Sequence, residues 1–338
     1  MSKRLILHAG MHKTGSSSIQ TFLNTAALEN ATYFKWNKPN HSILFVTLFA
    51  EHPEAHWFFR QRGVSAEEIA GERARLREDL RRQVADSPHG LFLFSAERIY
   101  GASHADLVAC KSFFEPLFDD ISVFCYVREP LSYAASMLQQ RLKTGTLPGP
   151  RALLPQFRKH IGTLDRVFGA EHVVPRLYSD PRRDTGDVVA DFCDWTGVRA
   201  AQPAEVSVNR SLSAEATALL YLFRKYAGFE LSSAAAVTAS RKLVRALAKL
   251  PGQRIALGPE AFGSAAIDAD RAWMERRMGE AFPPPPPGRG QTVTLASFDA
   301  LDAFGRAVFH QRSGAAFREA DWEGLGPAAP ARFAAALA

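Results

Sequence analysis

Short apolar runs alternate along the chain with longer segments in which apolar residues have helical spacing. The first run is Arg4–His8, and a glycine-containing loop and a stretch reaching Leu28 follow it. Within that stretch, apolar residues recur at the spacing of one helix face: Ile19, Phe22, Leu23 and Ala26. A strand, a glycine loop and a helix in this order predict the start of a doubly wound α/β fold.

The same alternation continues to residue 196. Further runs are rich in β-branched or aromatic residues, as buried parallel strands are: Leu91–Ser95, Ile121–Val127 and His172–Tyr178. Helical patterns stand between and after them: Ser65–Asp86, Ala105–Phe118, Leu131–Lys143 and Gly186–Thr196. The pattern predicts an α/β fold in which helices flank a central, P-loop-like parallel sheet.

After Asn209 the helical spacing continues, and the sequence predicts no further strand. The predicted helices of this part are Ser213–Tyr226, Ala234–Leu250 and Asp268–Met278. The run Pro283–Pro287 predicts a stiff connector, and the Ala/Pro-rich tail beyond Pro327 predicts a frayed end. We therefore expect a core domain over residues 1–230 and a mostly helical C-terminal extension over residues 231–338.

The composition of the 338 residues excludes general disorder, because 46% of them are hydrophobic. No apolar stretch is long enough to span a bilayer, and the run Leu5–Leu7 is too short for a signal-peptide core. These features predict a cytoplasmic protein. The formal net charge of +6 is compatible with an anionic partner. The three cysteines form no CxxC pair and no Cys/His cluster is present, so we expect buried thiols and no metal.

The strongest chemical signal is the segment from His8 to Ser18, which reads HAGMHKTGSSS. Gly10 and Gly15 have the spacing of the glycines in the phosphate loop GxxxxGK[ST]. Such a loop points backbone N–H groups at phosphate oxygens, and the helix that follows adds its positive N-terminal end. The lysine is displaced, however. Ser16 stands where an ATP-binding loop places lysine, and Lys13 lies three residues earlier, which suits a shorter donor.

This loop resembles the 5′-phosphosulfate loop, KTGTT or KTGSS, of sulfotransferases that use 3′-phosphoadenosine 5′-phosphosulfate (PAPS). It is most similar to a bacterial branch in which His-x-Gly precedes KTG[ST][ST] and a glutamine follows, here Gln20. The resemblance implies that PAPS is the co-substrate. It also implies the residues that hold it: Gly10, His12, Lys13, Thr14, Gly15, Ser16, Ser17 and Ser18.

A second segment extends the resemblance, which covers residues 1 to about 215. The strand Ile121–Val127 is followed by Arg128-Glu129-Pro130, and Ser136 comes eight residues after the arginine. Sulfotransferases carry a similar arginine at a strand end and a serine on the next helix. The resemblance implies that Arg128 and Ser136 hold the 3′-phosphate of the donor. A guanidinium beside a hydroxyl is well suited to a phosphate dianion.

The activity that the resemblance implies is transfer of a sulfuryl group from PAPS to a hydroxyl or amine. Lys13 would stabilise the leaving bisphosphate, and the base would be a glutamate or a histidine. Glu97 is our first candidate base, because it follows a strand at the sheet edge where α/β sites form. His41 is the second candidate and His12 the third. The acceptor is expected to be a small molecule or a glycan. The basic helix Ser240–Leu250 suits an anionic glycan or a lipid surface, and an amphipathic helix packed by Leu243, Leu247 and Leu250 explains its pattern equally well.

Two other functions stay open at the level of the sequence. A P-loop kinase would use Mg-ATP, with Ser17 and Glu97 at the metal, although the displaced Lys13 argues against it. A non-catalytic protein would hold a polyanion on a basic surface, but the chain carries no nucleic-acid motif. Binding of adenosine 3′,5′-bisphosphate without magnesium separates the sulfotransferase from the kinase. Ligand binding without turnover would indicate the non-catalytic protein.

Overall fold

The computed structural model describes residues 2–178, 187–201, 211–231, 233–283 and 292–337. The chain divides into two compact units, each assembled from three segments. The first unit contains Met1–Arg128, Gln156–Ser207 and Trp273–Phe282. The second unit contains Glu129–Pro155, Val208–Ala272 and Pro283–Ala338. The sequence had predicted one boundary, between residues 230 and 231, whereas the chain passes between the units several times.

A parallel sheet forms the centre of the first unit. Its strands are β1 (Arg4–Ala9), β2 (Ala31–Tyr33), β3 (Leu91–Ala96), β4 (Asp120–Val127) and β5 (Val173–Leu177). Their order across the sheet is β2-β3-β1-β4-β5, and neighbouring strands pair in parallel. The middle strand, β1, is covered on both faces, so Leu5, Ile6 and Leu7 are all buried.

Helices occupy most of the remaining chain. In chain order they are α1 (Ser16–Thr25), α2 (Ser42–Phe49), α3 (Trp57–Arg60), α4 (Ala66–Asp86), α5 (Glu97–Tyr100), α6 (His104–Phe114), α7 (Pro130–Lys143), α8 (Phe157–Phe168), α9 (Val188–Thr196), α10 (Ala214–Tyr226), α11 (Ala234–Leu247), α12 (Ser264–Met278), α13 (Phe298–Ser313) and α14 (Ala329–Ala336). Among the described residues, none of these helices combines the length and apolar character needed to cross a bilayer.

Both faces of the five-stranded sheet are covered by helices. On one face, Phe22 of α1 and Phe192 of α9 belong to one apolar cluster with Phe124 of β4. On the other face, Phe94 of β3 contacts Phe114 of α6, with ring centroids 5.9 Å apart. The two sets alternate along the strands because successive side chains of a strand point to opposite faces. The predicted α/β class, with a central parallel sheet flanked by helices, is confirmed.

The second unit corrects two predictions made for the C-terminal part. Two short strands, β6 (Arg254–Leu257) and β7 (Thr292–Leu295), pair in parallel where no strand was predicted. Each has four residues, too few for a period to be read from the sequence. The tail is also not frayed. It forms α14, whose Phe333 is fully buried against Trp322, with ring centroids 5.0 Å apart. The connector predicted at Pro283–Pro287 lies, from residue 284 on, outside the described residues.

Candidate functional site

The loop after β1 lies where the path of the chain across the sheet reverses. From β1 the chain continues to β2 on one side of the sheet, and from β4 it continues to β5 on the other side, while β1 and β4 are neighbours. The carboxyl ends of two such strands leave a crevice, which is where α/β proteins bind ligands. Lys13 follows the end of β1 and Arg128 follows the end of β4. The topology therefore brings together two cations that are 115 residues apart.

One residue of the loop, Lys13, has an unusual backbone conformation. Lys13 has φ of 65°, and in the described part of the chain Gln156 is the only other non-glycine residue with positive φ. This left-handed conformation costs about 1–2 kcal/mol for a residue with a side chain. Strain of this kind persists only where the surroundings enforce it, and it concentrates at functional sites.

Two glycines make the tight turn possible. A Cβ on Gly10 would lie 2.6 Å from Ser16 Oγ, and one on Gly15 would lie 2.7 Å from a methyl group of Val188. Gly15 also has φ of 77°, a region that favours glycine. The spacing that suggested a phosphate loop thus corresponds to two positions where only glycine fits without displacing a neighbour.

Two hydroxyl side chains stabilise the loop through hydrogen bonds within it. Thr14 Oγ1 donates a hydrogen bond of 2.6 Å to the carbonyl of Met11, and Ser16 Oγ donates one of 3.3 Å to the same oxygen. Both side chains are buried. Because their hydrogens are used within the loop, what Thr14 and Ser16 offer an anion is the backbone N–H. Ser17 is exposed and Ser18 is half-buried, so their hydroxyls lie nearer the surface.

The N-terminus of α1 is open. Gly15 is its N-cap residue, no side chain caps the helix, and its first turn holds no acidic residue. The N–H groups of Ser18 and Ile19 donate to the Gly15 carbonyl at 2.9 and 3.2 Å. The N–H groups of Ser16 and Ser17 precede the first repeating bonds of the helix and stay at its open end. With the positive end of the helix dipole, these amides favour an anion.

Arg128 forms a hydrogen bond with the backbone of Lys13 in the loop. Its Nη1 donates a hydrogen bond of 3.0 Å to the carbonyl oxygen of Lys13, and its guanidinium lies 5.7 Å from the ring centre of Tyr178. This bond helps to hold the left-handed backbone at Lys13. The pKa of the Lys13 ammonium is lowered, first by burial and then by the charge of Arg128, while Glu97 opposes the shift. An anion placed between the two cations would relieve their repulsion.

Glu97 lies beside the same loop. It is the first residue of α5, directly after β3, and its Oε2 lies 3.3 Å from Nδ1 of His12. The His12 side chain is 52% exposed and the Glu97 side chain is 23% exposed. Three residues that the sequence proposed for the site, His12, Lys13 and Glu97, therefore lie together at the carboxyl edge of the sheet.

His41 lies in the core instead of at the open edge. Its side chain is fully buried, and its ring stacks on Tyr33 with centroids 4.4 Å apart. Its Nδ1 accepts a bond of 3.3 Å from the N–H of Ser95. Burial lowers the pKa of His41 to about 3. The proposed base is thus a neutral, structural imidazole in this fold, because no part of it reaches the surface.

A second buried histidine was missed by sequence reasoning. His8 pairs with Ser95 in the register of β1 and β3, and its Nδ1 lies 2.8 Å from Ser95 Oγ. Burial lowers the pKa of His8 to about 3. Ser95 therefore links His8 to His41 beneath the loop. The signal available in the sequence was a polar residue at the end of each of two apolar runs, His8 and Ser95. When the two strands pair in parallel and in register, these two residues become neighbours.

Ser136 belongs to the second unit, where it is half-buried on α7. That helix begins with Pro130, and the Glu129 carboxylate caps it by accepting bonds from the N–H groups of Leu131 (3.2 Å) and Ser132 (2.7 Å). The role of Ser136 at a 3′-phosphate stays a prediction. Within the described ranges, no three His, Cys, Asp or Glu side chains are grouped as ligands for a metal ion.

The chain was compared with family models, curated proteins and solved structures. No family model matches the chain, and no curated protein matches it. Among solved structures, it is similar to the crystal structure of a sulfotransferase from Alicyclobacillus acidocaldarius, with 16% sequence identity and a TM-score of 0.39. The match covers 72% of this chain and 97% of that chain.

Proposed function

We propose that the protein is a sulfotransferase that moves a sulfuryl group from PAPS to a hydroxyl or amine of an acceptor. One observation carries the proposal. Lys13, which has a strained backbone in an amide-lined loop, accepts a hydrogen bond at its carbonyl from Arg128, which directly follows the neighbouring strand β4. PAPS has two anionic groups, the 5′-phosphosulfate and the 3′-phosphate, and this site offers two cationic groups at one crevice.

In this proposal the loop receives the 5′-phosphosulfate. The N–H groups of Ser16 and Ser17 and the open end of α1 face the phosphate oxygens, and the Ser18 hydroxyl lies in the same turn. Gly10 and Gly15 allow the backbone to approach the anion closely. Arg128 receives the 3′-phosphate.

Lys13 supplies the electrostatic step. As the bond from sulfur to the bridging oxygen breaks, negative charge grows on that oxygen, and the ammonium group stabilises it. The group is already fixed by the loop, so little reorganisation is needed when the charge develops. We propose no metal ion for this step, because Lys13 and the amides of α1 supply the positive charge.

The acceptor is proposed to be a small molecule or a glycan, and the cytoplasmic location expected from the sequence is part of the same proposal. The attacking hydroxyl or amine must lose a proton, so the site needs a base. Of the candidates, His12 lies within the loop and Glu97 beside it, whereas His41 is buried in the core and is not assigned this role.

The test is a transfer assay with purified protein and PAPS labelled with radioactive sulfur. Phenols, alkyl alcohols, amines and oligosaccharides serve as acceptors, and the labelled product is separated by chromatography. We expect a labelled product in the presence of EDTA. Transfer of phosphate from Mg-ATP with no product from PAPS would replace this proposal with a kinase. Binding of adenosine 3′,5′-bisphosphate without turnover on any acceptor would indicate a non-catalytic protein.

A further inference from the structure

His12 and Glu97 form a pair whose two members differ in exposure. The imidazole is half-exposed, the carboxylate is mostly covered, and the nitrogen that contacts the carboxylate is Nδ1, at 3.3 Å. When Nδ1 donates its hydrogen to the carboxylate, the remaining ring nitrogen, Nε2, has a free lone pair. A carboxylate placed in this way fixes both the tautomer and the orientation of an imidazole.

We propose that His12 is the general base that removes the acceptor proton, and that Glu97 is the positioning residue that orients it. This inference rests on the proposed function and deepens it. It changes the role of Glu97, which the sequence suggested as the base itself.

The position of His12 on the chain supports the assignment. It directly precedes Lys13, so the base and the cation that stabilises the leaving group belong to the same strained turn. The backbone of that turn is fixed on one side by the bond from Arg128 to Lys13 and on the other by the bonds of Thr14 and Ser16 to Met11. A base on a rigid element is held at a constant distance from the reacting centre.

Exposure separates His12 from the other candidate bases. Its side chain is 52% exposed, compared with 23% for Glu97 and a fully buried His41. An acceptor approaches from solvent, so the imidazole is the group that it meets. Glu97 is the less exposed member of the pair, and its charge opposes the lowering of the Lys13 pKa.

The acceptor oxygen or nitrogen forms a bond to sulfur while the bond from sulfur to the bridging oxygen breaks. That electron pair stays on adenosine 3′,5′-bisphosphate, beside Lys13. The acceptor proton moves to Nε2 of His12, and the imidazolium that forms is stabilised by the ionised Glu97 until it releases the proton to water.

A spectroscopic experiment tests the pair without relying on activity. In protein labelled with ¹⁵N-histidine, the resonances of His12 are assigned by their loss in His12→Gln. Neutral His12 is expected as the tautomer with hydrogen on Nδ1, and Glu97→Gln is expected to shift the tautomer ratio. A His12 that carries its hydrogen on Nε2, or that is unchanged in Glu97→Gln, would overturn the inference.

The kinetic experiment separates a base from a donor-binding residue. With an alkyl alcohol as acceptor, we expect His12→Gln to lower kcat about 10²–10⁴-fold. Its Kd for adenosine 3′,5′-bisphosphate should stay within about threefold of the wild type, and added imidazole should partly restore His12→Ala. Glu97→Gln should lower kcat by about tenfold, less than the loss of the imidazole itself.

Transfer of the sulfuryl group from 4-nitrophenyl sulfate to adenosine 3′,5′-bisphosphate serves as a control reaction for the same variants. The leaving nitrophenolate needs no proton, so His12→Gln should retain most of the wild-type rate in this direction. An equal loss in both reactions would show that His12 is structural or binds the donor, and an unchanged rate with the alcohol would show that it is not the base.

The chain offers a matched control pair at the other edge of the same sheet. His172 Nδ1 lies 3.4 Å from Asp120 Oδ1, and Asp120 is the first residue of β4. His172→Gln and Asp120→Asn should leave transfer unchanged. If wild-type protein fails to bind the bisphosphate, the proposed function fails. If it binds and turns over while the His12 variants behave like the His172 control, only the inference on His12 fails.

Discussion

Charged and polar residues lie at both the amino and the carboxyl edge of the five-stranded sheet, but their interactions differ. At the amino edge, Asp119 accepts bonds from the N–H of Lys3 (2.7 Å) and from Ser2 Oγ (3.2 Å). At the carboxyl edge, two cations lie close together, and one of them, Lys13, has a left-handed backbone. The amino edge is built from paired groups. The carboxyl edge keeps a charge repulsion that an anion would relieve, together with a strained backbone at Lys13, and we take this difference as the mark of a binding site.

The loops, and not the strands, create the difference. Ser2, Lys3 and Asp119 precede β1 and β4, and Lys13 and Arg128 follow these strands, so none of the five residues is part of a strand. At the amino edge, each hydrogen bond contributes about 1 kcal/mol to stability. At the carboxyl edge, the conformation of Lys13 costs about as much. Substitutions at the two edges should therefore separate stability from function.

Lys13→Ala is expected to have the largest effect on function. Removing a group that stabilises developing charge should lower kcat about 10²–10³-fold. Because the native residue is strained, Lys13→Gly should lose transfer equally while the free energy of unfolding in urea does not fall. Near-normal turnover of Lys13→Ala would remove the leaving-group role, and a large loss of stability in Lys13→Gly would show that the left-handed backbone is not strained.

Arg128→Ala is expected to weaken donor binding selectively. A hydrogen bond to a charged group contributes about 1.5–3 kcal/mol, which corresponds to a roughly 10- to 150-fold rise in Kd. The rise should appear for adenosine 3′,5′-bisphosphate and be small for adenosine 5′-phosphate, which lacks the 3′-phosphate. Titration calorimetry measures both. An equal rise for the two nucleotides would reject the assignment of Arg128 to the 3′-phosphate.

The buried histidines near the carboxyl edge should make the protein sensitive to acid. The pKa values of His8 and His41 are lowered from 6.5 to about 3 by burial, so the unfolded chain takes up protons first as the pH falls. Their contribution to stability is complete above about pH 6.5 and is lost progressively toward pH 3, at about 1.4 kcal/mol per pH unit for each histidine.

Urea unfolding at pH 7.5, 6 and 5 measures this slope. In His41→Phe, which keeps a ring beside Tyr33, the slope below pH 6.5 should be smaller than in the wild type by about 1.4 kcal/mol per pH unit. The same slope in both proteins would show that His41 does not carry the effect.

The smallest effects are expected for the control pair at the amino edge. Exposed ion pairs contribute about 0–1 kcal/mol, so Asp120→Asn should change the free energy of unfolding by less than about 1 kcal/mol. Chemical denaturation at pH 7.5 gives this value. A loss of more than about 2 kcal/mol would mean that the amino edge depends on this pair, and that the two edges differ less than we describe.

Sequence reasoning reached the α/β class and the loop because both depend on local patterns. The apolar runs mark the strands, and the spacing of Gly10 and Gly15 marks the turn. The conformation of Lys13 was not accessible in this way, since it depends on a bond from Arg128 that forms only when β1 and β4 lie side by side. The same holds for the pair of His12 and Glu97, which joins the ends of β1 and β3.

Burial was harder to predict than element type. His41 stands between Asn40 and Ser42 and was proposed as a base, but it is the N-cap residue of α2, and its N–H donates to the carbonyl of Ser95 in the core. Phe333 lies in an Ala/Pro-rich tail, and its burial follows from contacts with Phe223, Phe309 and Trp322. In both cases contacts distant in sequence decide the outcome, and a pattern read along the chain does not contain them.

The most direct test of the central claim is calorimetric titration of the wild-type protein with adenosine 3′,5′-bisphosphate in the presence of EDTA, with Mg-ATP titrated separately. If the loop with Lys13 and the guanidinium of Arg128 form one nucleotide site, the bisphosphate binds at a single site with a Kd in the micromolar range or below, and Mg-ATP binds at least about tenfold more weakly. Absence of bisphosphate binding, or tighter binding of Mg-ATP, would contradict the account.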